Sequence, residues 1–243
     1  FCEEEQLTIE ERLALFVKIC RAIAHAHAKG VIHRDIKPAN ILVSRQDGEC
    51  VPKVIDFGIA KATECRLTEK TLLTAVAQLI GTPSYMSPEQ AGLGDRPIDV
   101  RSDIYSLGVL LYELLVGCTP FGGGRVESAG ADEVRRRSRE EEPISPARRV
   151  SNCGSDVLAE TARRRRTEPA LLLAALRSEL EWIVARCLEK EPARRFDSAH
   201  ALADDVARGL RKEHVLSTPP SPLARWRNYA RNHGAARWLG AAA

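Results

Sequence analysis

His33-Arg34-Asp35-Ile36-Lys37-Pro38-Ala39-Asn40, followed at a short interval by Asp56-Phe57-Gly58, is the stretch on which the reading of this chain turns. The first run puts a carboxylate, an ammonium and a carboxamide on one short loop. Asp35 can accept a proton from a hydroxyl. Lys37 can neutralise a phosphoryl group in transfer. Asn40, five residues after Asp35, can hold a divalent cation, and Asp56 adds a second carboxylate for it. Phosphoryl transfer needs positioning and charge neutralisation more than covalent help, and these four side chains supply both. Strand-like runs at Ile41-Leu42-Val43 and Lys53-Val54-Ile55-Asp56 flank Gln46-Asp47-Gly48. A hairpin turning there brings Asn40 and Asp56 to the same end.

Downstream the pattern continues in order. Gly81-Thr82-Pro83-Ser84-Tyr85-Met86-Ser87-Pro88-Glu89 precedes Asp99-Val100-Arg101-Ser102-Asp103-Ile104-Tyr105-Ser106-Leu107-Gly108. Then come Thr119-Pro120-Phe121 and Glu191-Pro192-Ala193-Arg194-Arg195. With the two opening motifs, this series resembles the eukaryotic-type protein kinases over residues 31 to 195. Ser-Pro-Glu-Gln-Ala at 87–91 and the run Glu179-Leu180-Glu181-Trp182-Ile183-Val184 give it a bacterial cast, similar to the large serine/threonine kinases of planctomycetes.

The resemblance implies an α+β, mostly helical fold: the large C-terminal lobe of a protein kinase, with small β-hairpins at the catalytic cleft. It implies ATP-dependent transfer of the γ-phosphoryl group to Ser or Thr of protein substrates, with Mg2+ or Mn2+. Lys37 and Thr82 point to Ser/Thr rather than Tyr. By the same resemblance Asp35 is the base, and Asn40 and Asp56 hold the metal. Leu42 forms the floor under the adenine, and Asp103 supports the catalytic-loop backbone. Glu89 and Arg195 form a buried ion pair. Arg34 implies control by phosphorylation of the following segment, with Thr74 the first candidate and Thr71 the second.

A kinase also needs a Gly-rich loop over the phosphates, a strand Lys and a helix Glu to orient it. The 32 residues before His33 read instead as a helix over 7–30. Thr8 and Glu11 form a capping box, and Leu13, Phe16, Val17, Cys20, Ile23 and Ala24 recur at helical spacing up to Gly30. Gly122-Gly123-Gly124 follows no strand and reads as a loop. The expectation is a kinase without its small lobe, inactive as it stands. The alternative is a non-catalytic, pseudokinase-like docking module or gene fragment. A small-molecule kinase of the aminoglycoside type would share an Asp…Asn loop but lack Gly81–Glu89.

The 243 residues, 44% hydrophobic, suffice for one good core. A net charge of +3 gives no reason to expect a nucleic-acid partner. Seven scattered cysteines without a C-x-x-C pair read as free thiols in a reducing cytoplasm. The large lobe is expected over 1–212. Within it, residues 122–168 alternate Arg clusters with acids and read as a mobile insertion. An apolar helix is expected at 102–116 and order returns at 171–188 and 198–210. From His214 onward there are four Arg and no acids, with Trp226, Tyr229 and Trp238 among them. Residues 213–243 therefore read as a basic juxtamembrane-like tail, leading to membrane attachment beyond residue 243.

Overall fold

The structure, a computed structural model, describes residues 1–57, 83–91, 97–122 and 130–216. Helix α1 (Ile9–Ala28) opens on a capping box: Glu11 donates its backbone N–H to Thr8 Oγ1, and Thr8 donates its own to Glu11 Oε2 at 2.8 Å. Its apolar face, including Leu13, Phe16, Val17, Cys20 and Ile23, is buried. A short 3-10 turn, Pro38–Asn40, leads into strand β1 (Ile41–Gln46), which pairs antiparallel with β2 (Glu49–Val54). The register runs from Ile41 opposite Val54 to Gln46 opposite Glu49, leaving Asp47-Gly48 as a two-residue turn. Both turn residues have positive φ, 49° and 83°, the backbone that matches strand twist and favours Asp-Gly.

A 3-10 turn at Pro83–Tyr85 and a short helix α2 (Pro88–Ala91) precede the central helix α3 (Val100–Val116). Asp99 caps α3 by accepting the Arg101 N–H at 2.7 Å. Ile104, Tyr105, Leu107, Val109, Leu111, Tyr112 and Leu115 are all buried, so α3 is covered on every side. At Gly108 a Cβ would lie 2.3 Å from Cys187 Cβ, so glycine is what lets the neighbouring helix approach.

Residues 130–168 depart from the expectation of a mobile insertion. They form α4 (Ala131–Glu140), α5 (Pro146–Asn152) and α6 (Ser155–Arg163). The alternating charges that read as unstructured are the i,i+3 and i,i+4 pairs of helices. Arg136 meets Glu133 at 2.7 Å and Glu140 at 2.9 Å, and Glu160 meets Arg163 and Arg164. Val134, Ala147, Val150 and Ala162 supply the buried side. The run expected at 171–188 is two helices, α7 (Pro169–Leu176) and α8 (Glu179–Cys187), parted where Ser178 caps the second. Helix α9 (Ala199–Leu210), capped by Ser198, packs back on α1.

Sequence reasoning gave no role to Arg12, yet it is buried and organises the first residues. It donates to the carbonyls of Leu7 at 2.8 Å, Cys2 at 2.9 Å and Leu114 at 3.2 Å, and pairs with Glu3 at 2.8 Å. Arg165 shares the Leu114 carbonyl at 3.1 Å. Burial and the like charge of Arg12 push the Arg165 guanidinium down to about 10.

Candidate active site

The 3-10 turn folds the loop back so that Asn40 faces Asp35. Asn40 Nδ2 donates to the Asp35 carbonyl at 2.8 Å and to Asp35 Oδ2 at 3.1 Å. Lys37 Nζ lies 2.8 Å from the same Oδ2. Asp35 and Lys37 keep 19% and 21% of their side chains exposed, so their charges face solvent at the mouth of the loop. Asn40 is buried, and its carbonyl accepts the Ile55 N–H at 3.0 Å. That bond closes the hairpin and sets Asp56 beside the loop. Asp56 is exposed and holds φ +55°, in the left-handed region that a residue with a Cβ seldom adopts.

Behind the exposed groups lies a buried carboxylate. Asp103, at the start of α3 and fully buried, accepts three hydrogen bonds of 2.8 Å. They come from the backbone N–H groups of His33 and Arg34 and from His27 Nε2. A carboxylate held by several donors is a rigid post for a loop. His33 is also buried; its ring meets the Ile55 carbonyl at 3.0 Å and lies 4.6 Å from the Phe57 ring. Sequence reasoning gives His27 no partner. A His six residues before the loop and an Asp at the start of an apolar helix were the available signal.

A second buried charge anchors the segment after Pro83. Arg195 grips Glu89 in a two-point pair, NH1 to Oε1 at 2.6 Å and NH2 to Oε2 at 2.8 Å. Ser102 Oγ donates to Glu89 Oε1 at 2.7 Å, and Arg195 also donates to the carbonyls of Arg101 and Glu189, each at 2.8 Å. Burial alone would raise the Glu89 carboxyl, but the Arg195 guanidinium holds it below the usual carboxylate range. Nearby, Tyr85 hydrogen-bonds Glu113, and burial pushes both groups up.

Leu42 stands 54% exposed on β1, an apolar side chain offered to solvent on the strand after the loop. Arg34 is half-buried, with its N–H on Asp103. Thr82, Thr74 and Thr71 lie outside the described residues. Sequence reasoning missed Gln90, which reaches the loop from α2 by donating to the Arg34 carbonyl at 2.9 Å. It also missed Ser87 and Ser102, both buried polar residues; Ser87 donates to Gln90, and Ser102 reaches back to Glu89.

A loop that gathers Asp, Lys and Asn, a second Asp after the hairpin and a buried helix beneath make up the candidate site. Residues 2–206 match the protein kinase domain family. The chain belongs to that family. It is 35% identical over 199 residues to serine/threonine-protein kinase PknB of Mycobacterium leprae, covering 82% of this chain and 26% of that protein. Its identity to PknB of Mycobacterium tuberculosis is 35% over 205 residues, 84% of this chain and 27% of the relative. Against the probable PknB of Corynebacterium glutamicum it is 35% over 233 residues, 92% and 31%. The chain thus spans about a quarter to a third of the length of these relatives. Among solved structures, the kinase domain of Mycobacterium tuberculosis PknI, a double mutant, aligns with a TM-score of 0.52 at 23% identity. It covers 84% of this chain and 57% of that one. That likeness is of fold, a mostly helical kinase lobe with a small two-stranded sheet. Among the described residues no helix is long and apolar enough to cross a membrane.

Proposed function

We propose that this chain carries the catalytic face of an ATP-dependent protein kinase that phosphorylates Ser or Thr of other proteins. One observation carries the reading: Lys37, Asn40 and the Asp35 carboxylate meet within 3.1 Å on one loop, with Asp56 brought beside them by the Asn40–Ile55 bond. Asp35 accepts the proton of the acceptor hydroxyl as that oxygen attacks the γ-phosphorus, whose bond to the β,γ-bridging oxygen breaks so that ADP leaves. Lys37 swings from Asp35 to the phosphoryl oxygens and balances their charge. Leu42 offers the apolar surface on which the adenine lies.

The donor set fits a hard divalent cation. Asn40 turns its Nδ2 toward Asp35, which leaves the amide oxygen for a metal, and Asp56 offers an exposed carboxylate. When bound, Mg2+ or Mn2+ neutralises phosphate charge; Asn40 and Asp56 would hold it. An intact Asp35, Lys37, Asn40 and Asp56 weigh against a docking module without catalysis. Thr82 is read as the residue that seats the acceptor, and Arg34 as the receptor for phosphate on Thr74 or Thr71. The basic, aromatic run from His214 is read as a cytoplasmic segment near a membrane.

The test is acceptor identity. Full-length protein incubated with labelled ATP and Mg2+ should transfer label to phosphoserine or phosphothreonine of a protein substrate. Label found solely on tyrosine, or on a small molecule, would overturn the reading.

A further inference from the structure

Asp35 takes its direction from the peptide before it. Arg34 holds φ +65°, the left-handed region where a residue with a Cβ sits at a cost. Such a conformation persists only where its surroundings hold it. The Arg34 N–H is held by Asp103 Oδ1 at 2.8 Å, from the central helix. The Arg34 carbonyl is held by Gln90 Nε2 at 2.9 Å, from α2.

Gln90 is itself fixed. Its Oε1 accepts the Ser87 backbone N–H at 3.2 Å and the Ser87 hydroxyl at 3.0 Å, and Ser87 is fully buried. A backbone N–H can only donate and a carbonyl can only accept. The carboxamide therefore has one orientation, oxygen toward Ser87 and nitrogen toward Arg34. One planar group spans two backbone segments that are 56 residues apart in sequence.

The geometry points to Gln90 as a positioning residue for phosphoryl transfer. Its carboxamide clamps the Arg34 carbonyl, fixes the strained peptide and so aims Asp35. It also ties that aim to the seating of α2, at the end of the segment that carries Tyr85 and Glu89. This rests on the reading of Asp35 given under Proposed function, and it adds a residue that acts through Asp35 without touching substrate.

Gln90→Glu supplies the test. It keeps the shape and the acceptor that Ser87 uses, but at neutral pH it presents a carboxylate to the Arg34 carbonyl. When protonated, the same side chain can donate an O–H to that carbonyl. The measurement is the single-turnover phosphoryl-transfer rate of full-length protein at saturating Mg-ATP, from about pH 5 to 8.5, alongside wild type. At the alkaline end the variant should be slower by about tenfold to a hundredfold, the scale of a small misalignment. It should recover toward wild type as pH falls, with the KM for ATP unchanged throughout. Gln90→Met has no donor at any pH; its deficit relative to wild type should be constant.

A Gln90→Glu to wild-type ratio that stays flat across pH overturns the proposal, as does a wild-type rate in Gln90→Met. If Gln90→Glu does not fold, Gln90→Met decides alone. A slower rate at unchanged KM and melting temperature then supports the role, and any other result overturns it. Asp35→Asn in parallel separates this from the reading beneath it. Wild-type transfer by that variant would remove Asp35 as the base whatever Gln90 does.

Discussion

Two ion pairs in this molecule have nearly the same length and opposite uses. Lys37 and Asp35 lie 2.8 Å apart with about a fifth of each side chain exposed; Arg195 and Glu89 lie 2.6 Å apart at 0% and 2%. At the exposed pair, water stands ready to replace either partner, so separating the charges costs little. On the function proposed above, Lys37 leaves Asp35 for a phosphate and Asp35 turns to a hydroxyl. At the buried pair no water waits, and each charge is stranded if the other goes. Distance alone does not tell a working pair from an anchoring one. Burial does.

The largest effect expected from breaking this contrast is on chemistry at the exposed pair. Asp35→Asn keeps the shape and should cost about 10²- to 10⁴-fold in transfer rate, the usual worth of general-base help. Its melting temperature should stay near that of wild type, because water reaches the pair it breaks. Rates and calorimetry on the purified full-length protein check both halves.

The buried pair should behave the other way. Arg195→Ala should cost about 3–5 kcal/mol by leaving Glu89 charged and unpaired in the interior. Removing Glu89 as well should recover part of that loss. A double-mutant cycle by urea unfolding measures the coupling, and a double loss equal to the sum of the singles would break the contrast.

Acid sharpens the same point more gently. The Glu89 carboxyl sits below its ordinary value of 4.5 in the folded chain because Arg195 and Ser102 favour the charged form against burial. The unfolded chain then binds the proton more readily. The contribution is fully present above pH 4.5 and is lost as pH falls through the lower folded value. Glu113, raised by burial, has the opposite sign and partly offsets this on acidification. Glu89→Gln should flatten the acid limb of stability against pH, and a limb unchanged by that substitution would count against the pair.

The smallest effect is expected on α4. Arg136 touches Glu133, Glu140 and Glu141, yet the cluster lies open to solvent. Arg136→Ala should move the melting temperature within experimental scatter, and what it does contribute should disappear in high salt. A large loss there would mean that contact number outweighs burial.

Much of the site is local in the chain, and so it was legible. His33 to Asn40 is one short loop whose spacing sets which side chains meet, and Asp47-Gly48 is a turn with its own backbone requirement. The capping box at Thr8 and Glu11 is equally local. The helices of 130–168 were not legible. Their charges cancel in composition, and only in a folded helix do Arg136 and Glu140 fall on the same face. Gln90 was hidden for a related reason. Nothing near it in sequence announces that its carboxamide ends on the Arg34 carbonyl.

The sequence by itself determined the kind of chemistry: an acid, an ammonium and an amide at fixed spacing, then a second acid, then an apolar helix. These depend on covalent order and short-range geometry, which a chain carries wherever it is read. The tertiary structure alone decided which polar groups are buried and what satisfies them. Asp103 holding His27, His33 and Arg34, and Arg195 reaching Glu89 and the Arg101 carbonyl, are long-range pairings. A buried donor or acceptor must find a partner wherever the fold brings one, because leaving it unmet costs more than the bond returns in water. That demand can be read from burial, and burial exists only once the chain has folded.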